Sequence, residues 1–226
     1  MSKEELECPA SASDLYLAAS PEEVEAARPI LTGDVFSGVT VPGLDGSGLA
    51  IVLTHPCSMR ADGVNLTKRL FMARVSPSEE VPIGKWQTGH FKVMPLPELL
   101  GEHYSARFEE MGLVESASLL TAERVACMTP YGVNLLQQRF IWYLTRFLVP
   151  THRLGEATGA VFEEADLQEE WVVATTERGE DVSESARAFH KWVRSIDDLG
   201  VSRQKQLEDP QRRAGLRRQM RSHLRD

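Results

Sequence analysis

Between residues 30 and 128 the chain offers a succession of short apolar runs separated by turn residues, and no stretch of helical period long enough to link parallel strands. Each parallel pair needs a crossover of a dozen or more residues, usually a helix. The segment is therefore restricted to antiparallel neighbours, and several short strands joined by irregular loops are expected to form a small barrel rather than a doubly wound sheet.

The expected strands are residues 34–41, where Val35, Val39 and Val41, Ser37 aside, fall at alternate positions, then 49–53 and 70–75, the last ended by Ser76-Pro77. Gly43 to Gly48 is turn chemistry between the first two. Shorter strands are expected at 91–94, 117–120 and 123–128. Ahead of them, Ser20-Pro21-Glu22-Glu23 has the residues of a capping box and starts a short helix that Pro29 ends.

After Met128 the period changes. Val133, Leu136, Phe140, Tyr143, Leu144 and Phe147 share one broad helical face. An acidic helix is expected over 162–175 and another over 183–199, with Gly200 as its C-cap. Pro210 divides the end of the chain into 201–209 and a last helix through Leu224. The fold class expected is α+β, in four sections: a helical lead-in (1–29), a β-barrel (30–130), a helical extension (131–200) and a basic C-terminal arm (201–226).

The 226 residues carry a net charge of −8, distributed unevenly. Residues 202–226 hold eight Lys or Arg against three acids, a +5 tail on a −13 body. Cys8, Cys57 and Cys127 are far apart, which argues against a disulfide framework or a thiolate zinc cage and suits a reducing cytoplasm. The polar, acidic start has no apolar core of a secretory signal, and residues 133–149 are too interrupted by polar groups to span a membrane. No Walker lysine follows the glycines and none of them forms G-x-G-x-x-G, and no His pair has helical metal-ligand spacing, so neither a cofactor nor a metal is expected.

Thr32-Gly33-Asp34-Val35-Phe36, the glycine-rich loop, Ile51-Val52-Leu53-Thr54 and Ala73-Arg74-Val75-Ser76 together resemble the strand order of the PemK/MazF-like toxins, over about residues 30–130. The resemblance implies a small SH3-like barrel with attached helices, sequence-specific endoribonuclease activity and, commonly, a homodimer. Ser76 matches the family's Ser or Thr at the end of the third strand. The family's arginine ahead of the second strand has no counterpart, because Asp45-Gly46-Ser47-Gly48 stands there. That guanidinium would stabilise the charge of RNA cleavage, and a hydroxyl alone is a poor nuclease.

Three groups of the loop after the second strand are candidate substitutes, His55, Cys57 and Arg60, with His55 as general base and Arg60 as anion stabiliser. Their ordinary reading is a loop in which His55 satisfies backbone groups, Cys57 packs and Arg60 is solvated. Arg139 and Arg146, seven apart on the long helix, either face a phosphate backbone or cover apolar surface and pair with Glu163, Glu164, Glu169 and Glu170. Arg212, Arg213, Arg217, Arg218 and Arg221, with Arg225, flank a narrow edge of Leu216, Met220 and Leu224. They form either an arm for nucleic acid or a partner, or a helix lying on the acidic body.

The function expected is a catalytically degenerate PemK/MazF-like binding or assembly module of a bacterial conflict system, toxin–antitoxin or phage defence, with a protein partner and with RNA or DNA as a further ligand class. The alternatives are an active, metal-independent endoribonuclease and a subunit of a larger nucleoprotein complex.

Overall fold

The computed structural model describes residues 5–60, 65–197 and 200–225. The chain folds as two compact units: one comprises the segment ending at Val24 together with Leu31–Glu156, the other Glu25–Ile30 together with the chain from Ala157.

The first unit is built on a curled, seven-stranded antiparallel sheet, a half-barrel. Its strands are β1 (Tyr16–Ala18), β2 (Val35–Val39), β3 (Gly48–Val52), β4 (Arg69–Pro77), β5 (Val93–Leu99), β6 (Glu102–Glu115) and β7 (Glu123–Met128), in the order β1-β7-β2-β3-β4-β6-β5. The expected first two strands pair antiparallel, Val35 opposite Ile51 and Phe36 opposite Ala50. The third joins them with Ile51 opposite Ala73. The curl brings the two edge strands together, and the Leu100 N–H donates to Ala19 O across the seam at 2.9 Å.

Several local expectations are corrected. Residues 20–28 form no continuous helix: a 3-10 turn, Pro21–Glu23, ends because Val24 is extended, and a separate turn closes from the Arg28 N–H to Glu25 O (3.2 Å). Residues 117–120 are not a strand; they lie largely within a single helical turn, α1 (Ser116–Leu119). β6, the longest strand, has no counterpart among the expected strands.

Helix α2 (Pro130–Thr145) starts on Thr129, whose Oγ1 accepts from the Gly132 N–H at 2.9 Å, with Pro130 at the first helical position. Phe140 carries it onto the sheet, with ring centroids 6.0 Å from Phe71 and 5.4 Å from Phe108. The Leu100–Gly101 hairpin that joins β5 to β6 has both residues at positive φ.

Helix α3 (Thr151–Thr176) begins in the first unit and continues into the second, which adds α4 (Val182–Arg194), a short α5 (Arg203–Gln206) and α6 (Pro210–His223). The expected helix over 183–199 stops at Arg194, so Gly200 is not its cap. Trp171, Val172, Phe189, Val193, Leu216 and Met220 form the centre of this unit's core. Among the described residues no helix is long and apolar enough to cross a membrane.

Candidate functional site

The Thr32-Gly33-Asp34 stretch is structural. Gly33 has φ +87°, and a Cβ there would lie 2.9 Å from the Met128 Cβ and 3.0 Å from Val133 Cγ2. Asp34 is buried and accepts from the Leu31 N–H (3.0 Å) and from Arg124 (3.1 Å), a pair almost closed to water. Thr32 donates its hydroxyl to Thr54 O, and Thr54 Oγ1 accepts from the Phe71 N–H at 2.6 Å. These bonds fix where β3 ends and the 54–60 loop begins.

In that loop His55 caps a 3-10 turn, Pro56–Ser58, and its Nδ1 accepts from the Cys57 N–H at 3.3 Å. The residue is exposed, yet desolvation of its ring lowers its pKa below the ordinary histidine value. A neutral imidazole with Nδ1 as acceptor keeps its proton on Nε2. Cys57 is exposed and Arg60 half-buried.

Ser76 does not join them. Thr54 lies beside Phe71, and Ser76 is five residues further along β4, which puts about 17 Å of strand between the loop and the serine. His55 and Arg60 therefore cannot act with Ser76 on one bond in this arrangement. What stands near Ser76 is Arg74, two positions earlier and on the same face of the strand. Its guanidinium donates to Asp45 O (2.7 Å) and Gly46 O (3.0 Å), in the loop that lacks the family's arginine. Ser105, opposite Ser76 on β6, donates to Ser78 Oγ at 3.0 Å. The sequence signal for Arg74 was present in Ala73-Arg74-Val75-Ser76, but only the strand pairing shows that it reaches the neighbouring turn.

Arg139 is not available to any ligand. It is 1 % exposed and donates to the carbonyls of Trp86 (2.9 Å), Gly89 (3.3 Å), His90 (2.7 Å) and Val93 (3.0 Å), with its guanidinium 5.6 Å from the Trp86 ring centroid. Burial pushes its pKa down to about 10, which leaves it cationic at neutral pH. It is a staple for the 86–93 segment, so both sequence readings of it, phosphate contact and pairing with the acidic helix, are corrected. Arg146 is exposed and ends α2 in the left-handed conformation (φ +63°), with its guanidinium 4.4 Å from the centroid of Trp142.

The basic C-terminal segment is folded rather than an arm. Within the second unit, Leu216 and Met220 are buried, Arg217 reaches Glu163 (3.5 Å) and Glu170 (3.7 Å), and Arg221 pairs with Glu170. Arg212 pairs with Asp209 (3.3 Å), and Arg213 donates to Leu207 O (2.9 Å). Arg218 remains exposed.

The feature with room for a ligand is formed by residues distant in sequence. An open cleft of about 730 Å3 lies between the end of β2 (Gly38, Val39), Thr40 and Pro42 after it, Arg69 and Phe71 of β4, and residues 112–115 of β6. Leu113, 52 % exposed, stands in it opposite Phe71, and an exposed Arg69–Glu115 pair (2.6 Å) marks its rim. The apolar strip continues from Phe71 to Phe140 on α2 and one turn on to exposed Leu144. Among the described residues no group of three His, Cys, Asp or Glu is placed to hold a metal ion.

Comparison with known proteins finds no family model, no curated protein and no solved structure that matches this chain.

Proposed function

We propose that the chain is a catalytically degenerate PemK/MazF-like module, with an SH3-like barrel in its first unit, that binds or assembles with a protein partner in a bacterial toxin–antitoxin or phage-defence system. The observation that carries this reading is the apolar cleft with Leu113 exposed beside Phe71. An exposed leucine in a concave, mostly apolar surface rimmed by a neutralised ion pair is what a protein ligand uses, whereas phosphate recognition calls for unpaired cations. The conflict-system context and the SH3-like barrel rest on the resemblance.

A second reading, a metal-independent endoribonuclease, draws on one observation: Arg74 beside the Asp45–Gly46 carbonyls, on the same face as Ser76. In this version Arg74 replaces both His55 and Arg60 as the partner of Ser76.

One experiment separates the two. Purified protein is incubated with a long mixed-sequence RNA in chelator, beside Arg74→Ala, Ser76→Ala and Arg60→Ala variants. The module reading expects intact RNA in every lane. Cleavage lost in Arg74→Ala and Ser76→Ala but kept in Arg60→Ala overturns it and establishes the nuclease.

A further inference from the structure

The far edge of β6 beside the cleft is an open template for another strand. Phe71 directs its main-chain groups toward β3, since its carbonyl accepts from the Leu53 N–H (2.8 Å) and its N–H donates to Thr54 Oγ1 (2.6 Å). Its neighbours Leu70 and Met72 therefore face β6, where Val114 and Gly112 are their partners. The alternation leaves Met111 and Leu113 pointing their N–H and C=O groups the other way. There, β5 pairs with β6 only between Glu102 and Arg107, and among the described residues no strand lies alongside residues 109–115. No described residue bonds to the main chain of Met111 or Leu113 on that side.

Sheet edges in folded proteins are ordinarily protected by charge, proline, a bulge or a covering element. β6 has its irregular register just before this stretch, between the pairs Val75–Ala106 and Ala73–Met111. From Met111 to Val114 the sequence Met-Gly-Leu-Val carries neither charge nor proline. The glutamates around it are each paired within the chain, Glu109 with Lys92 (2.7 Å), Glu110 with Arg107 (2.7 Å) and Glu115 with Arg69 (2.6 Å). The edge thus presents a neutral, apolar strand with main-chain hydrogen-bonding groups unused.

We infer that residues 111–115 receive an extended segment of a partner polypeptide, added to the sheet as an eighth strand with apolar side chains at alternate positions. The ladder accounts for why the ligand is a polypeptide: only another peptide backbone supplies donors and acceptors at the spacing that Met111 and Leu113 offer. The alternation accounts for the side chains. A residue opposite Leu113 has its Cβ about 5 Å from the leucine and on the same face, so it joins the side chain that lines the cleft. With Arg69, Lys92 and Arg107 each engaged by a glutamate and Lys68 standing beside Glu115, the edge carries little net charge, which favours a neutral segment over a phosphate backbone. A second copy of this chain fits less well: antiparallel self-pairing centred on Gly112 would set Glu109 opposite Glu115 of the other copy twice.

This inference rests on reading the chain as a protein-binding module, and its test is separate from the RNA assay. A displayed library of random-sequence peptides is selected on the full-length protein, and the enriched peptides are resynthesised with single N-methyl groups walked along the backbone. Expected are sequences with apolar residues at alternate positions. Methylation of the amides that face Met111 or Leu113 should weaken binding about tenfold or more, and methylation of the intervening amides should be tolerated. Leu113→Pro, which removes one edge donor, should weaken binding likewise. Leu113→Lys, which keeps the donor and adds an edge charge, gives a second weakened variant should the proline disturb folding.

Failure to enrich any peptide overturns the inference, as does binding indifferent to N-methyl position, which would still leave a binding module without edge pairing. Self-association of the free protein in sedimentation, abolished by Leu113→Pro, would also overturn it by assigning the edge to a second copy. RNA cleavage dependent on Arg74 and Ser76 would instead remove the module reading itself.

Discussion

Gly33 shows how much of this fold depends on a missing side chain. Its φ of +87° lies in the left-handed region, and the space a Cβ would occupy is taken by Met128 and Val133. Gly38 has a similar φ, +72°, with nothing within 4 Å of where its Cβ would be. The pair separates backbone strain from steric collision. Gly38→Ala should cost about 1–2 kcal/mol, the strain alone. Gly33→Ala should cost roughly 2–4 kcal/mol, because overpacking adds to it. Urea unfolding of the two variants beside the parent measures both, and equal losses would mean that Met128 and Val133 yield freely. The adjacent Asp34 has the same structural character, since a buried carboxylate with a main-chain donor and Arg124 as partners holds the strand entrance and is closed to a ligand.

Among the elements, α3 has the most informative N-terminus. Glu7 accepts from the Thr151 N–H (2.8 Å), from Thr151 Oγ1 (2.5 Å) and from Gln138 Nε2 (3.1 Å), so a carboxylate from the start of the chain sits on the helix's unpaired donors. Burial opposes its ionisation, but these hydrogen bonds outweigh burial and hold its carboxyl below the usual range. A folded-state pKa below the unfolded one adds stability that is complete above the unfolded value, near 4.3, and disappears as pH falls through the folded value. Glu7→Gln should therefore lose about 1 kcal/mol at neutral pH and show a shallower decline in acid than the parent, read as denaturation midpoints between about pH 3 and 7. Parallel acid limbs would show that Glu7 is not the group responsible.

The elements also show where sequence reading succeeds. β2, β3 and β4 were legible because Val35, Ile51 and Leu70 sit in short runs bounded by glycine and proline. The strand expected at 91–94 ends before Pro95, whereas β5 runs through that proline, which is tolerated because β5 lies on the sheet's edge. β6 was invisible because Glu109-Glu110 interrupts it where its register shifts, and charged residues at a bend break the alternation that marks a strand. α3 begins eleven residues before the expected 162 and carries Gly155 and Gly159 inside it, where they leave room for Asn134 and Arg213. The cleft could not be read at all, since it is made by the approach of β2's end to β4 and β6, and Arg74 acquires its place by the same long-range pairing.

At the scale of the whole molecule, the question is whether the C-terminal arginines make a detachable arm or a folding element. Their charge attracts attention in the sequence, but the apolar edge beneath them decides the matter. Leu216, Met220 and Leu224 are buried with Trp171, Phe189 and Trp192, and His223 stacks on Trp171 at 5.5 Å. Truncating a buried leucine or methionine to alanine typically costs about 2–5 kcal/mol, and losing three such groups together is comparable to the whole stability of an ordinary domain, about 5–15 kcal/mol. The exposed pairs made by Arg217 and Arg221 add little by comparison, as ion pairs in contact with solvent generally do. Deletion of residues 210–226 should therefore unfold the second unit: amides of α4 and of α3 beyond Ala157 should lose their protection in hydrogen exchange, while those of β2, β3 and β4 keep theirs. Arg218→Gln, at an exposed position on the same helix, should leave exchange unchanged throughout. If the truncated chain kept the protection of α4, the segment would be an arm after all, and its arginines rather than its leucines would be what the sequence maintains it for.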